Sequence, residues 1–282
     1  MSGLLILVGA GVLGCAVIVG VGLARRGAEG RSVRDPHGLG HQLAGLLAGG
    51  MLAGAAWFAG GDHRLLVLAS GPLAGSCWLV GLIVAERRRE RPPLGMLRVA
   101  GLGPRTAGGI VSRHALAAMR GAFALTAGLA GLAITLASDQ DARSYAVSCV
   151  DGTRSTHGPW PGAPYAVPAL VALALGLIVA ELAIGDVVRR PPGVGDQVID
   201  SARRLLAART AVTAAMLMAL PTLAMLLLAM GGGLHGACPT AGKDAVALGM
   251  LATGAALALV AAGSWVAALL TGGRSVVPRV SA

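Results

Sequence analysis

The chain contains seven stretches of about 20 predominantly apolar residues, and this constrains its fold more than any other feature. A helix needs roughly 20 such residues to cross the hydrocarbon core of a bilayer. Helices also satisfy their backbone hydrogen bonds internally, which lipid requires. The sequence therefore predicts an all-α, polytopic helical membrane bundle that forms one transmembrane domain over residues 1–282. The predicted spans are 3–24, 41–60, 65–85, 121–138, 165–185, 210–230 and 245–271.

Composition supports a membrane protein over a soluble one. Hydrophobic residues make up 55% of the chain and charged residues only 13%, whereas soluble domains carry about 25% charged residues. The 44 glycines suit helices that approach one another closely through small residues.

The basic residues predict the orientation of the chain. Nineteen of the 23 lysines and arginines fall in the segments 25–40, 86–120, 186–209 and 272–282. Basic loops stay on the cytoplasmic side during insertion, so we expect a multi-pass protein of the cell membrane with its N-terminus outside and its C-terminus inside. The net charge of +10 then reflects topology and attraction to anionic membrane lipids. No nucleic-acid partner is expected.

The first apolar run, Met1–Ala24, has a second interpretation as a secretory signal, with Cys15 in a loose lipoprotein-type box. A signal needs a basic n-region before the apolar run. Here the first basic residues, Arg25 and Arg26, follow the run instead. We therefore expect an uncleaved span with its N-terminus outside.

The four cysteines separate by their predicted location. Cys15 and Cys77 lie within spans and are expected to be packing residues. Cys149 and Cys238 lie in the two sizeable external loops, 139–164 and 231–244, where disulfides persist. The sequence predicts a disulfide between Cys149 and Cys238, with two unpaired thiols as the alternative.

An internal repeat is suggested by two matching strings. The sequence GLIVAE occupies 81–86 and again 176–181, and Arg-Pro-Pro follows at 91–93 and at 190–192. Both copies enter from outside and return to outside, so the predicted repeat is parallel, with hairpins related as 65–138 and 165–230.

Glu86 and Glu181 close the two copies at the cytoplasmic ends of their spans. A structural interpretation pairs them with neighbouring arginines such as Arg87 or Arg189, which offsets their desolvation. The functional alternative is a symmetric proton or cation site. We favour the structural interpretation.

Two arginine-bearing stretches, 112–120 and 200–209, precede spans four and six. They contain the candidate functional residues Arg113, Arg120, Arg203 and Arg209. Such stretches lie on the membrane surface, dock a cytosolic partner, or extend the following spans into the cytoplasm. We expect the last of these.

The span interiors offer threonines and serines but few ionisable groups, which disfavours ion-coupled transport. Pro221 is a candidate functional residue because a proline near the middle of span six is expected to break the helix and free a carbonyl, which a pore or cavity could use. The alternative, a simple kink, is commoner.

No catalytic residue, metal ligand set or cofactor site is predicted. His37 and His41 have the i, i+4 spacing of a metal pair, but glycines surround them and no further ligand completes the set. A second weak alternative is an external metal site built from His63, His157 and His235 with nearby aspartates.

The Ala/Leu/Arg bias and the pattern Arg98-x-Ala100-x-Leu102-x-Pro104-Arg105 resemble multi-spanning membrane proteins of high-GC actinobacteria. Some of those proteins occur alongside ABC-type ATPases. The resemblance implies a helical membrane fold and no activity, and the chain carries no ABC-permease signature.

Two hypotheses of function follow. The first is a non-catalytic membrane module, an anchor, assembly or receptor-type subunit that binds other membrane or cytosolic proteins. It predicts a tightly packed bundle. The alternative is a permease-like subunit that moves a hydrophobic or small polar solute, with or without a separate ATPase. It predicts a cavity lined by the threonines and Pro221.

Overall fold

The structure is a computed structural model of the chain. It describes residues 67–88, 110–138, 142–149, 151–189, 197–235, 238 and 241–271, together with the single helical residues Leu47 and Met51. Predicted spans one and two therefore lie outside the described residues, apart from these two positions.

Five long helices make up most of the described part. They are α1 (Val67–Arg88), α2 (Arg113–Thr135), α3 (Ala163–Arg189), α4 (Gln197–His235) and α5 (Ala241–Thr271). They coincide with predicted spans three to seven. By length and composition, four of them can cross a membrane: α2, α3, α4 over Arg204–His235, and α5 over Gly242–Ser264. In α1 the apolar stretch is shorter, Leu68–Val84.

Helices α2 and α4 begin well before the predicted edges of their spans. The first turn of α2 is capped by Ser112, whose side chain accepts a hydrogen bond from the backbone N–H of Ala115 at 3.2 Å, as N-cap residues do. Helix α4 is 39 residues long, or about 58 Å, against a bilayer core of about 30 Å. The arginine-bearing stretches are thus continuous extensions of the helices, as expected.

Neighbouring contacts show that consecutive helices alternate in direction. Helices α1 and α3 are parallel, because Arg87 Nε lies 2.7 Å from Asp186 Oδ2 near the C-terminal end of both. Helices α2 and α3 are antiparallel, since Arg120 near the start of α2 meets Glu181 near the end of α3. Two parallel hairpins, α1–α2 and α3–α4, are the arrangement that a parallel repeat requires. The duplication itself stays a prediction.

Helix α4 packs against each of the other four helices. Its Met218 lies at the junction with α1 and α3: a Cβ added to Gly75 would overlap the Met218 side chain, and one on Gly176 would lie 2.9 Å from Met218 Sδ. The core is therefore closed at this level because two glycines make room for one methionine.

Small residues also bring α4 and α5 together. A Cβ on Gly231 would lie 3.0 Å from the Ala247 carbonyl oxygen, and one on Gly254 would lie 3.0 Å from that of Ala224. These paired positions show that α4 and α5 are antiparallel. Such close approach through glycine and alanine is the packing mode that helices use in lipid, where apolar burial alone gives no driving force.

The prediction of an all-α fold missed one element. Strands β1 (Tyr145–Ser148) and β2 (Arg154–His157) form an antiparallel hairpin in the loop between α2 and α3. Two four-residue strands satisfy the backbone groups of a loop that would otherwise need other partners.

Candidate functional site

The described helices place two groups of chemistry-bearing residues at opposite ends of the bundle. We call the end that contains Cys149, Cys238 and the β-hairpin the disulfide end. The opposite end, which contains Arg87, Arg120 and the carboxylates that they meet, is called the arginine end. The interior between them holds Pro72, Pro221 and the buried threonines.

At the disulfide end, the predicted bridge is present. Cys149 and Cys238 are disulfide-bonded, with their Cα atoms 5.6 Å apart, which lies within the usual range for the bond. Cys149 immediately follows β1, and Cys238 lies between α4 and α5. The bond therefore ties the hairpin to the junction of the last two helices, across 89 positions of sequence.

The hairpin turn is organised by Asp151. Its Oδ1 accepts hydrogen bonds from the Thr153 hydroxyl at 2.7 Å and from the Thr153 backbone N–H at 3.0 Å. These bonds favour the ionised carboxylate and lower the pKa of Asp151. Their contribution is thus present above the ordinary aspartate pKa and is lost as the pH falls through the lowered value. Gly152 completes the turn with a φ of 79°, which glycine adopts readily.

Trp160 anchors this end to the helices. The side chain is fully buried, its indole N–H donates to the Ala133 carbonyl at 2.8 Å, and its ring lies 4.9 Å from that of Tyr145. A Cβ on Gly233 of α4 would lie 2.8 Å from the Trp160 ring. The hairpin, α2 and α4 are therefore joined through one aromatic side chain in addition to the disulfide.

At the arginine end, Glu181 binds an arginine of another helix. Arg120 of α2 holds its carboxylate through two bonds, Nε to Oε1 at 2.7 Å and Nη2 to Oε2 at 3.1 Å. The expected neighbour, Arg189, is on the same helix, and Arg120 takes its place because antiparallel α2 presents it at that depth. Similarly, Arg87 meets Asp186 at 2.7 Å, which was not foreseen.

These ion pairs are partly exposed, so each contributes little to stability. The side chains of Arg120 and Glu181 are 58% and 38% exposed, and exposed pairs are typically worth about 0–1 kcal/mol. The two bonds between Arg120 and Glu181 instead favour one relative depth of α2 and α3.

The remaining candidate residues at the arginine end differ in accessibility. Arg113 and Arg209 are exposed on α2 and α4. Arg203 belongs to α4 and Glu86 to α1 by backbone, but their side chains lie outside the described part of the structure. Whether Glu86 and Glu181 share a cavity therefore stays untested.

In the interior, Pro221 does not break its helix, contrary to the prediction. Helix α4 continues through it to His235, and it packs against each of the other four helices. The second interior proline, Pro72, lies inside α1 and cannot donate to the Leu68 carbonyl one turn earlier. The hydroxyl of Thr222 lies 3.3 Å from that carbonyl and 3.0 Å from the carbonyl of Met218.

A second buried threonine makes a similar contact. Thr126 of α2 is fully buried, and its hydroxyl lies 2.8 Å from the Ala122 carbonyl and 3.4 Å from that of Ala219 on α4. Both threonines therefore face backbone carbonyls of neighbouring helices, where polar groups in lipid find partners.

No cluster of three or more potential metal ligands occurs among the residues that the structure describes. His235 lies 3.7 Å from Asp244, and His157 bonds Ser155 at 2.7 Å. The pair His37 and His41, as well as His63, lies outside the described residues.

Sequence reasoning missed three features of these sites. The Asp151-Gly152 pair, between residues with strand propensity, is a hairpin signal. Arg87 pairs with Asp186, 99 positions away. The two GLIVAE strings are 95 positions apart, so this partner lies one helical turn past the position that corresponds to Arg87 in the second copy. No local sequence pattern predicts that Met218 packs between Gly75 and Gly176.

Comparison of the whole chain with family models, with curated proteins and with solved structures finds no match.

Proposed function

We propose that this chain is a non-catalytic integral membrane module, an anchor, assembly or receptor-type subunit of a membrane complex. It crosses the cell membrane seven times, with its N-terminus outside and its C-terminus in the cytoplasm. The resemblance to multi-spanning actinobacterial proteins belongs to the same proposal and adds no activity.

The observation that carries the proposal is that polar groups which a transport site could use are bonded to other parts of the protein. Thr126 and Thr222 lie against carbonyls of neighbouring helices, and Glu181 is held by Arg120. These are the groups that a transport site would need to offer to a solute. Their engagement with the protein itself supports a structural role.

Packing at the centre supports the same interpretation. Met218 fills the space that Gly75 and Gly176 leave between α1, α3 and α4, and its side chain is fully buried. A pathway through this junction would require the methionine to move aside, since protein interiors are close-packed.

The two ends of the bundle offer surfaces for partners. Exposed Arg113 and Arg209 at the arginine end suit acidic groups of a cytosolic or membrane protein and anionic lipid headgroups. At the disulfide end, the β-hairpin held by the disulfide offers a second surface to a partner outside the membrane. Because the hairpin is ordered before binding, less conformational entropy is lost on association.

The alternative of a permease-like subunit rests on one specific observation. Pro72 of α1 and Pro221 of α4 lie near the same interhelical contact. Thr222, which follows Pro221, lies against the Leu68 carbonyl, and Pro72 cannot donate a hydrogen bond to that carbonyl. Two proline-bearing helices that meet at one level form a place where a bundle can bend.

Purification in mild detergent tests the proposal. We expect a stoichiometric partner that is lost when Arg113 and Arg209 are both replaced by alanine. Arg154→Ala is the matched control, since Arg154 is also exposed but lies at the disulfide end. A partner that remains bound to the Arg113→Ala, Arg209→Ala variant would contradict docking at the arginine end.

A flux assay in proteoliposomes separates the two functions. We expect Glu86→Gln and Glu181→Gln to leave the protein assembled, with a small loss of stability at most. A pH-dependent solute flux that either single substitution abolishes would make the chain a carrier and overturn the proposal.

A further inference from the structure

One face of α1 is turned away from its contacts with α3 and α4. The face towards α3 and α4 contains Gly75, Leu79 and Leu82, which are buried. On the opposite side of the helix lie Leu73, Cys77, Val80 and Val84, spaced i, i+4, i+7 and i+11. Val80 is 47% exposed and Cys77 is a free, exposed cysteine, while Leu73 and Val84 are half-buried. We call this stripe the outer face of α1.

The chain itself provides a candidate to cover this face. The apolar segment 41–60 ends only six residues before Val67, where α1 begins. A connection of that length spans at most about 20 Å, and helices joined by short loops pack as antiparallel neighbours. The tether also gives the segment an effective concentration on the order of millimolar beside α1.

The segment 41–60 has two different sides when projected on a helix. One side carries a stripe of small residues that includes a Gly-x-x-x-Gly motif: Gly45, Gly49, Ala53, Ala56 and Gly60. Leu47 and Met51 project from the opposite side. These two residues are helical and are 63% and 70% exposed. The side that carries Leu47 and Met51 is therefore exposed at both of the described positions.

We propose that segment 41–60 docks on the outer face of α1, with its small-residue stripe against Leu73, Cys77 and Val80. In lipid, helices associate through close packing, and small residues on one helix admit branched side chains of the other. The outer face of α1 supplies the branched side chains and the segment supplies the groove. Leu47 and Met51 then face lipid. This inference rests on the proposed membrane crossing of segment 41–60, and the bridge between Cys149 and Cys238 reports separately on folding.

The native cysteine of the outer face makes the proposal testable in the full-length chain. In a Cys15→Ser background, Gly49→Cys and Ala53→Cys each place a second thiol on the small-residue stripe near the level of Cys77. Leu47→Cys and Met51→Cys place it at a similar depth on the opposite side. Oxidation in native membranes is followed by mapping of disulfide-linked peptides by mass spectrometry.

We expect bridges to Cys77 from the Gly49→Cys or Ala53→Cys protein at a yield about tenfold above that of the two control variants, because a disulfide requires Cα atoms within about 7 Å. The bridge between Cys149 and Cys238, mapped in the same digest, reports that each variant has folded. Ala53→Cys keeps the test available if Gly49→Cys fails to fold.

The other outcomes overturn the proposal. Bridges between the Cys77 residues of two chains would show that a second copy covers the outer face. Absence of any bridge to Cys77 in folded variants would leave the face to lipid. Equal or higher yields from Leu47→Cys or Met51→Cys would show that the stripe does not face α1.

Discussion

At the residue scale, the Thr222 hydroxyl of α4 lies against the Leu68 carbonyl of α1. Pro72 has no N–H to donate to this carbonyl. We predict that Thr222→Val destabilises the protein by about 0.5–1.5 kcal/mol, since valine keeps the shape and removes the hydroxyl. The free energy of unfolding in bicelles measures the loss. Thr213→Val, at an exposed position of the same helix, is the control and should change little.

The same prediction can be tested through its cause. Pro72→Ala supplies an N–H that can bond the Leu68 carbonyl within α1, so Thr222→Val should cost less in that background. An unchanged cost in the double-mutant cycle would show that the hydroxyl serves only the Met218 carbonyl of its own helix.

The glycines around Met218 give a second prediction at this scale. Gly75→Ala should destabilise the protein by about 1–3 kcal/mol, because the added Cβ overlaps the Met218 side chain. Met218→Ala should cost less in the Gly75→Ala background than in the natural sequence. Gly128→Ala on α2 is the matched control, since no atom lies within 4 Å of its Cβ position. Equal losses of stability from Gly75→Ala and Gly128→Ala would contradict the close packing of Met218 against Gly75.

At the scale of elements, the disulfide decides how the hairpin is held to the helices. We predict that neither Cys149 nor Cys238 is alkylated without reductant, and that replacing both by serine costs about 2–4 kcal/mol. Trp160 still packs against Gly233 in that variant, so the helices should remain assembled while the hairpin becomes sensitive to protease. Alkylation of either thiol in the unreduced, natural protein would refute the prediction.

Local sequence predicts some helix boundaries and fails at others. The start of α2 after Ser112 follows from N-cap chemistry. Pro221 lacks a backbone N–H and is expected to interrupt its helix, yet α4 continues through it. The difference is that α4 packs against four other helices, and this packing outweighs the loss of one hydrogen bond.

At the scale of the whole molecule, the alternating directions of α1 to α5 give the topology a defined test. The segments at the disulfide end and those at the arginine end should lie on opposite sides of the membrane. We predict that reporter fusions at 62, 150 and 240 read external and that those at 30, 100, 195 and 280 read cytoplasmic. The positions 150 and 240 must agree in any case, because Cys149 and Cys238 are bonded. One clear inversion elsewhere would break the seven-span proposal.

The sequence by itself determined where the described spans lie, that the protein is helical, and which two cysteines pair. These properties depend on quantities that are local along the chain: the length of each apolar stretch, and the number of cysteines that fall between the predicted spans. The tertiary structure decided that Arg120 meets Glu181, that Arg87 meets Asp186, and that Met218 fills the space beside Gly75. Such contacts depend on the rotation and depth of each helix, and those are set only when the side chains of several helices pack together at once.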